Sequence, residues 1–284
     1  MRSILFFIGP VPIRAYGLML WIALVIGIIR GLRAARRTDI KPEYVIDVTL
    51  YAVMAGIVGA HLVSILLDLP YYIQNPGGIL DLWRGILSPN GGLRGLSFHG
   101  GFIGAVGVVL LYTRRKGIKF WEIVDLLAPS LAIGYGITRI GCFLNGCCYG
   151  IPTSLPWAVR FHADGYAGEL TAPSHPVQLY AAAIGLVIFF VLVAVEKRRR
   201  FAGQVFFSYV AMYSVYRFLI EILRKGVTAE VAFAGLTEAQ IVSVIMFIVS
   251  GIVLYSRLRV KPDVSPIPQS EIRNPNSKGS VCRK

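Results

Sequence analysis

The sequence predicts an all-α polytopic membrane protein, a bundle of about seven transmembrane helices with its N-terminus outside and its C-terminus cytoplasmic. Three observations carry that class. Hydrophobic residues make up 55% of the 284-residue chain and charged residues only 15%, with a mean hydropathy of +0.64. That leaves too little polar surface for a soluble domain of this size. Seven apolar runs, near 16–33, 45–67, 98–113, 121–145, 177–195, 203–223 and 236–256, each approach the ~20 residues a helix needs to cross a bilayer. Basic clusters then occupy alternate loops, at 30–41, 114–119 and 197–200, with a further cluster in the tail from 257. Cytoplasmic loops carry that excess under the positive-inside rule.

A net charge of +14 also fits a nucleic-acid-binding protein, but its distribution excludes that class. The charge is topological, with some affinity for the anionic headgroups of membrane lipids. The opening MRSILFFIGPVPIRAYG lacks a small-residue cleavage site after a short apolar core, so the first span is expected to remain. Residues 1–260 read as a single transmembrane domain and 261–284, basic and proline-rich, as a disordered cytoplasmic tail. The outer segments 68–97 and 146–176 carry turn signals and are expected to form small caps or re-entrant pieces. No repeat of 20–50 residues and no inverted pair of broken helices favours a transporter.

Ionisable residues inside a membrane are expensive, and they are therefore the first candidates for function. The sixth span reads QVFFSYVAMYSVYRFLIEILRK. It spaces Tyr209, Tyr213, Arg217, Glu221 and Arg224 by four, four, four and three residues, which places them on one helical face. An Arg217–Glu221 pair that only locks two helices is the plainer reading. The sharper one is a site for an anionic headgroup, with tyrosines donating hydrogen bonds and Arg217 clamping a phosphate through its planar guanidinium.

In LSFHGGFIGA, His99 stands at the outer end of the third span beside Gly100 and Gly101, which admit a close backbone or lipid head. An imidazole there is suited to accept a proton near neutral pH. The fourth span ends TRIGCFLNGCCYG, where Arg139 lies among glycines that predict a broken helix end lining a cavity. Cys142, Cys147 and Cys148 lack the paired CxxC spacing of a zinc site and read as small packing residues, so no metal is expected. Tyr16 and His175 mark the outer ends of the first and fifth spans, and the role of His61 in the second is open. Tyr16, His99, Arg139, His175 and Arg224 share one membrane depth under this topology, and Tyr213 and Arg217 lie two to three turns deeper.

These stretches together resemble the prolipoprotein diacylglyceryl transferase family of bacterial inner membranes. The resemblance covers about residues 10–256 and rests on AYGLM at 15–19, GLSFHGGFIGA at 95–105, TRIGCFLNGCCYG at 138–150, SHPVQLY at 174–180 and YRFLIEILR at 216–224. It implies transfer of the diacylglyceryl group of phosphatidylglycerol to the lipobox cysteine of a prolipoprotein, at a site facing the periplasm or exterior. It implies His99, Arg139 and Arg217 as catalytic residues. Tyr16, Tyr213, Gly100, Gly101, Asn145, Gly150, Glu221 and Arg224, with Arg139, are then expected to bind substrate. The family signature reads Gly-Arg-x-Gly-Asn-Phe-x-Asn-x-Glu-x-x-Gly; here Thr138, Cys142 and Cys147 replace the first glycine, the first asparagine and the glutamate, and Asn145 keeps its place.

The chemistry agrees with the residues. A thiol of pKa ~8.5 must lose its proton to become a nucleophile, His99 is the available acceptor, and the two arginines would steady the departing glycerol phosphate. No metal or organic cofactor is expected, because the phosphate ester brings its own leaving group. The rival class is a transporter or flippase of an anionic lipid or solute. It predicts polar groups continuing to the cytoplasmic ends of the spans, whereas the inner halves of spans three, five and seven are apolar. A non-catalytic lipid-binding scaffold is the third class, and it would not require His99.

Overall fold

Each of the seven predicted spans falls on one long helix in the computed structural model, which describes residues 4–9, 11–80, 96–162, 169–224, 231–233 and 235–260. The helices are α1 (Ala15–Ala35), α2 (Pro42–Leu67), a short α3 (Leu69–Gln74), α4 (Phe98–Lys116), α5 (Phe120–Asn145), α6 (Val177–Lys197), α7 (Gln204–Glu221) and α8 (Glu238–Leu258). Five of them, α1, α2, α5, α6 and α8, are long and apolar enough to cross a membrane. The chain is therefore an α-helical, multi-pass membrane protein. Helix α4 is less apolar because it carries His99 and the Arg114–Arg115–Lys116 run, and α7 because it carries three tyrosines, Arg217 and Glu221.

Two small antiparallel hairpins add to the helical class that the sequence predicts. Strands β1 (Ile4–Ile8) and β2 (Val11–Arg14) lead into α1, turning at Gly9 with φ +58°. Strands β3 (Val231–Phe233) and β4 (Leu236–Thr237) lead into α8. A capping box starts α8: Gln240 N donates to Thr237 Oγ1 at 3.2 Å, and Thr237 N donates to Gln240 Oε1 at 3.0 Å. The expected tail at 261–284 and the turn signals Asn90, Gly91 and Gly92 lie outside the described residues.

Small residues set how the helices meet. Lipid tails are as apolar as the helices themselves, so close van der Waals packing must hold helix to helix. On α2 and α4, Gly59 faces Gly100 and Gly104: a Cβ at Gly59 would lie 3.3 Å from Gly104 Cα, and one at Gly100 would strike Gly59 O and lie 2.6 Å from Val63 Cβ. On α5 and α6, a Cβ at Gly185 would lie 3.0 Å from Gly136 Cα. The glycines at the end of the fourth span predict a break; α5 instead runs unbroken to Asn145 and stops at Gly146, φ +75°. Gly136 is spent on α6, and Gly141 on α1, where a Cβ would sit 3.0 Å from Met19 Cβ.

Polar ties fix the other end of the bundle. Arg30 bonds both the Leu126 carbonyl and Glu196, joining α1, α5 and α6. Asp125, 1% exposed, accepts from Gly203 N at 2.8 Å and Phe206 N at 2.9 Å. It thereby caps the start of α7 from another helix, with Arg199 at 3.7 Å. Asp125→Ala leaves those amides unmet, and it is expected to lower stability by about 1–3 kcal/mol, read as an earlier thermal unfolding midpoint in detergent.

Candidate active site

The facing sides of α5 and α7 carry the site. Tyr135 and Arg139 are one turn apart on α5, and the Arg139 guanidinium lies over the Tyr135 ring, 4.8 Å from its centroid. Across the gap, the Tyr135 and Tyr216 hydroxyls are 3.0 Å apart, and the Tyr213 ring meets the Tyr135 ring edge-on at 5.4 Å. Tyr209 packs on Tyr213 at 5.9 Å. Arg139 is thus held on a ring of its own helix, Tyr135, which α7 backs with Tyr216 and with Tyr213 of the predicted face.

Farther along α7, Arg217 pairs with Glu221, and Arg224 Nε lies 3.8 Å from the same Glu221 oxygen. Glu221 is 3% exposed, and its other oxygen, Oε1, has no hydrogen-bond partner. One carboxylate is shared by two arginines, so positive charge is left over, and a buried acceptor is left unmet. Both features fit a site that receives an anion carrying hydroxyl groups.

The loop after α5 closes the site from above. Gly150 bridges Arg224 in antiparallel fashion, with Ile151 N donating to Leu223 O at 2.9 Å and Gly150 N to His175 O at 2.9 Å. Only glycine fits there: a Cβ would lie 2.8 Å from Val177 Cγ1 and 2.9 Å from His175 Cβ. Gln178, 1% exposed, donates from Nε2 to Cys147 O at 2.7 Å, and its Oε1 has no partner. Arg139, Cys148, Gln178, Tyr216 and Arg224 line a small cavity with Val177, Ala181 and Ile220. A larger cavity lies away from these groups, among Arg30, Arg33, Arg37 and Glu196 at the other end of α1 and α6.

The remaining expected residues divide. Tyr16 begins α1 beside Gly141, whose Cβ would lie 3.2 Å from Tyr16 Cα, and Asn145 ends α5 with its side chain against Cys147. Gly100 and Gly101 face α2 rather than the arginines, with a Cβ at Gly101 3.5 Å from Ala60 Cβ. His99 is exposed at the start of α4, its ring 6.0 Å from that of Phe98. Among the described residues no hydrogen bond or ring contact joins it to the Arg139 cluster. His175 Nδ1 lies 3.3 Å from the Tyr180 hydroxyl, and His61 Nε2 lies 3.0 Å from the Ile79 carbonyl. Sequence reasoning misses Tyr135, Tyr216 and Gln178. The four-residue spacing from Tyr135 to Arg139 is a signal that could have found the first.

A profile of the family described as prolipoprotein diacylglyceryl transferase matches residues 3–256. The chain belongs to that family. A Lysinibacillus sphaericus protein named phosphatidylglycerol–prolipoprotein diacylglyceryl transferase is 35% identical over 275 residues, covering 92% of this chain and 94% of its own. Proteins of the same name from a Nostoc species and from Bordetella avium are 33% and 34% identical, covering 91% and 87% of this chain and 91% of each relative. Across the stretch of this diacylglyceryl transferase family member that carries the signature, 138–150, geometry now has a stated cause: Arg139 on the Tyr135 ring, Gly141 against α1, Gly150 against the Leu223 carbonyl.

Tyr135 separates two contributions in this family member. Tyr135→Phe keeps the ring under Arg139 and loses one hydroxyl contact, expected to cost about 0.5–1.5 kcal/mol. Tyr135→Leu loses the ring as well, about 0.5–2 kcal/mol further. Thermal unfolding in detergent should order the proteins wild type, Phe, Leu.

Proposed function

We propose that this protein transfers the diacylglyceryl group of phosphatidylglycerol to the lipobox cysteine thiol of prolipoproteins, forming a thioether and releasing glycerol phosphate, the first step of bacterial lipoprotein maturation. Its relatives' names, phosphatidylglycerol–prolipoprotein diacylglyceryl transferase, support both substrates. The observation that carries the reading is the surplus of guanidinium at the α5–α7 face: Arg217 and Arg224 share the one buried carboxylate of Glu221, and Arg139 lines a cavity with Arg224. A phosphodiester supplies the missing charge, and its glycerol hydroxyls can donate to the unmet oxygens of Glu221 and Gln178.

Roles follow from chemistry. Arg139, Arg217 and Arg224 hold the phosphodiester and stabilise the charge that grows on the leaving oxygen. Tyr16, Tyr213, Asn145 and Gly150 shape the pocket, and Gly100 and Gly101 set the approach of α4. His99 accepts the acceptor thiol's proton, directly or through water, when substrate draws the two together. The protein is a bundle of seven spans in the bacterial cytoplasmic membrane, N-terminus outside and C-terminus cytoplasmic. Residues 1–260 are one catalytic domain whose active site faces the periplasm or exterior, where membrane lipids and the lipobox peptide reach it.

Purified protein mixed with phosphatidylglycerol and a synthetic lipobox peptide should give a peptide heavier by one diacylglyceryl group. Arg139→Ala, still folded, is expected to slow this by about 10²–10³-fold. Bound phosphatidylglycerol with no adduct under any condition would instead put the lipid-transport class ahead. An undiminished rate in His99→Gln would remove that histidine from proton transfer. A reporter fused after residue 260 should be active only in the cytoplasm, and activity outside would reverse the topology.

A further inference from the structure

Deprotonation of the acceptor thiol is the step that the α5–α7 cluster leaves unprovided. Its arginines serve the phosphate, and His99 is exposed on another helix, without a contact to them among the described residues. Beside Arg139, however, Cys142, Cys147 and Cys148 place their three sulfurs within 4.8 Å of one another. Spacing along the chain conceals this, because the cluster is closed by a turn and not by a CxxC pair.

The turn is built to hold them. Cys147 N donates to Cys142 O at 3.2 Å, Gln178 holds Cys147 O at 2.7 Å, and Gly146 takes φ +75°. Cys148 takes φ +63°, the one non-glycine residue with positive φ among those described. Tetrahedral zinc with Zn–S bonds of about 2.3 Å needs sulfurs roughly 3.8 Å apart, so the thiols need close by no more than about 1 Å. Cys142 is buried, Cys147 half-buried and Cys148 exposed, and Cys148 lines the cavity shared with Arg139 and Arg224. Three thiolates around one Zn²⁺ carry a net charge of about −1, and Arg139 and Arg224 lie on the Cys148 side of the cluster.

We propose that Cys142, Cys147 and Cys148 bind a zinc ion through three thiolates, and that the acceptor thiol of the peptide takes the fourth position, on the Cys148 side that opens to the cavity. The inference rests on the transferase reading above. Catalytic zinc sites keep such an open position, and a thiol bound to the metal is deprotonated outright. Loading the ion releases the three cysteine protons to solvent. The acceptor thiol gives its proton to water or His99 as it binds. Its sulfur lone pair then forms the S–C bond to the glyceryl carbon, while the C–O bond to phosphate breaks and its electron pair leaves on the phosphate oxygen. The product thioether is a neutral, weaker ligand, and water displaces it.

Cobalt titration of the reduced, full-length protein in detergent reads the site without any variant. One Co²⁺ per chain with a sulfur-to-metal charge-transfer band and tetrahedral ligand-field intensity is expected, displaced by Zn²⁺. The band should vanish in Cys142→Ser and Cys148→Ser. A lipobox peptide with cysteine should shift the ligand-field envelope, and the same peptide with serine should not. Removing zinc with a chelator should slow transfer by at least about 10–100-fold, restored by Zn²⁺. A cobalt spectrum no different from the free ion, or full transfer by both serine variants, overturns the inference and leaves the transferase reading intact. A thiol-dependent spectrum blind to the peptide, in protein that makes no adduct, overturns both.

Discussion

A guanidinium at membrane depth must be matched locally, because neither lipid tails nor helix backbone can solvate it. The protein meets that constraint in a chain of contacts, each leaning on the next. Arg139 lies on the Tyr135 ring, Tyr135 touches Tyr216 and Tyr213 of α7, Arg217 on the same helix is paired to Glu221, and Glu221 is shared with Arg224. Arg224 is fixed by the backbone bridge to Gly150, which returns to the loop that begins seven residues after Arg139. The cluster is therefore closed on itself, and moving any member disturbs the rest.

Close packing makes that closure possible. Aromatic rings and arginines can span α5 to α7 only if α5 is held at fixed height against α1 and α6, and Gly141, Gly136 and Gly185 provide contacts with no side chain between the backbones. The same device on α2 and α4 has another effect. It binds those helices to each other and so fixes the helix that carries His99.

Much of this was legible in the sequence. Among the described residues, apolar runs located each of the seven long helices within a few residues, since length and hydropathy are local properties. The spacing of Tyr213, Arg217, Glu221 and Arg224 put them on one face, which the ion pairs occupy. What the sequence hid depends on neighbours distant along the chain. Gly134, Gly136 and Gly141 look like helix breakers until α1 and α6 are seen to need their surfaces. Tyr135 looks like any aromatic of an apolar span until α7 supplies Tyr216. Gln178 gains meaning only beside Cys147, 31 residues away, and the cysteines' mutual approach is set by a turn whose left-handed residue, Cys148, no propensity announces.

Asp125 carries a consequence for how the molecule is made. Its two amide partners follow it by 78 and 81 residues, so a ribosome adding ~5–20 residues each second needs roughly 4–16 s to deliver them. During that interval the carboxylate lacks the two amides that satisfy it in the finished fold. Its place only five residues after the start of α5 allows this, because α5 can be held with its first turns at the membrane surface. Arrival of α7 then removes the last reason for the aspartate to remain hydrated. The bundle's final seating is timed by the synthesis of its own later half.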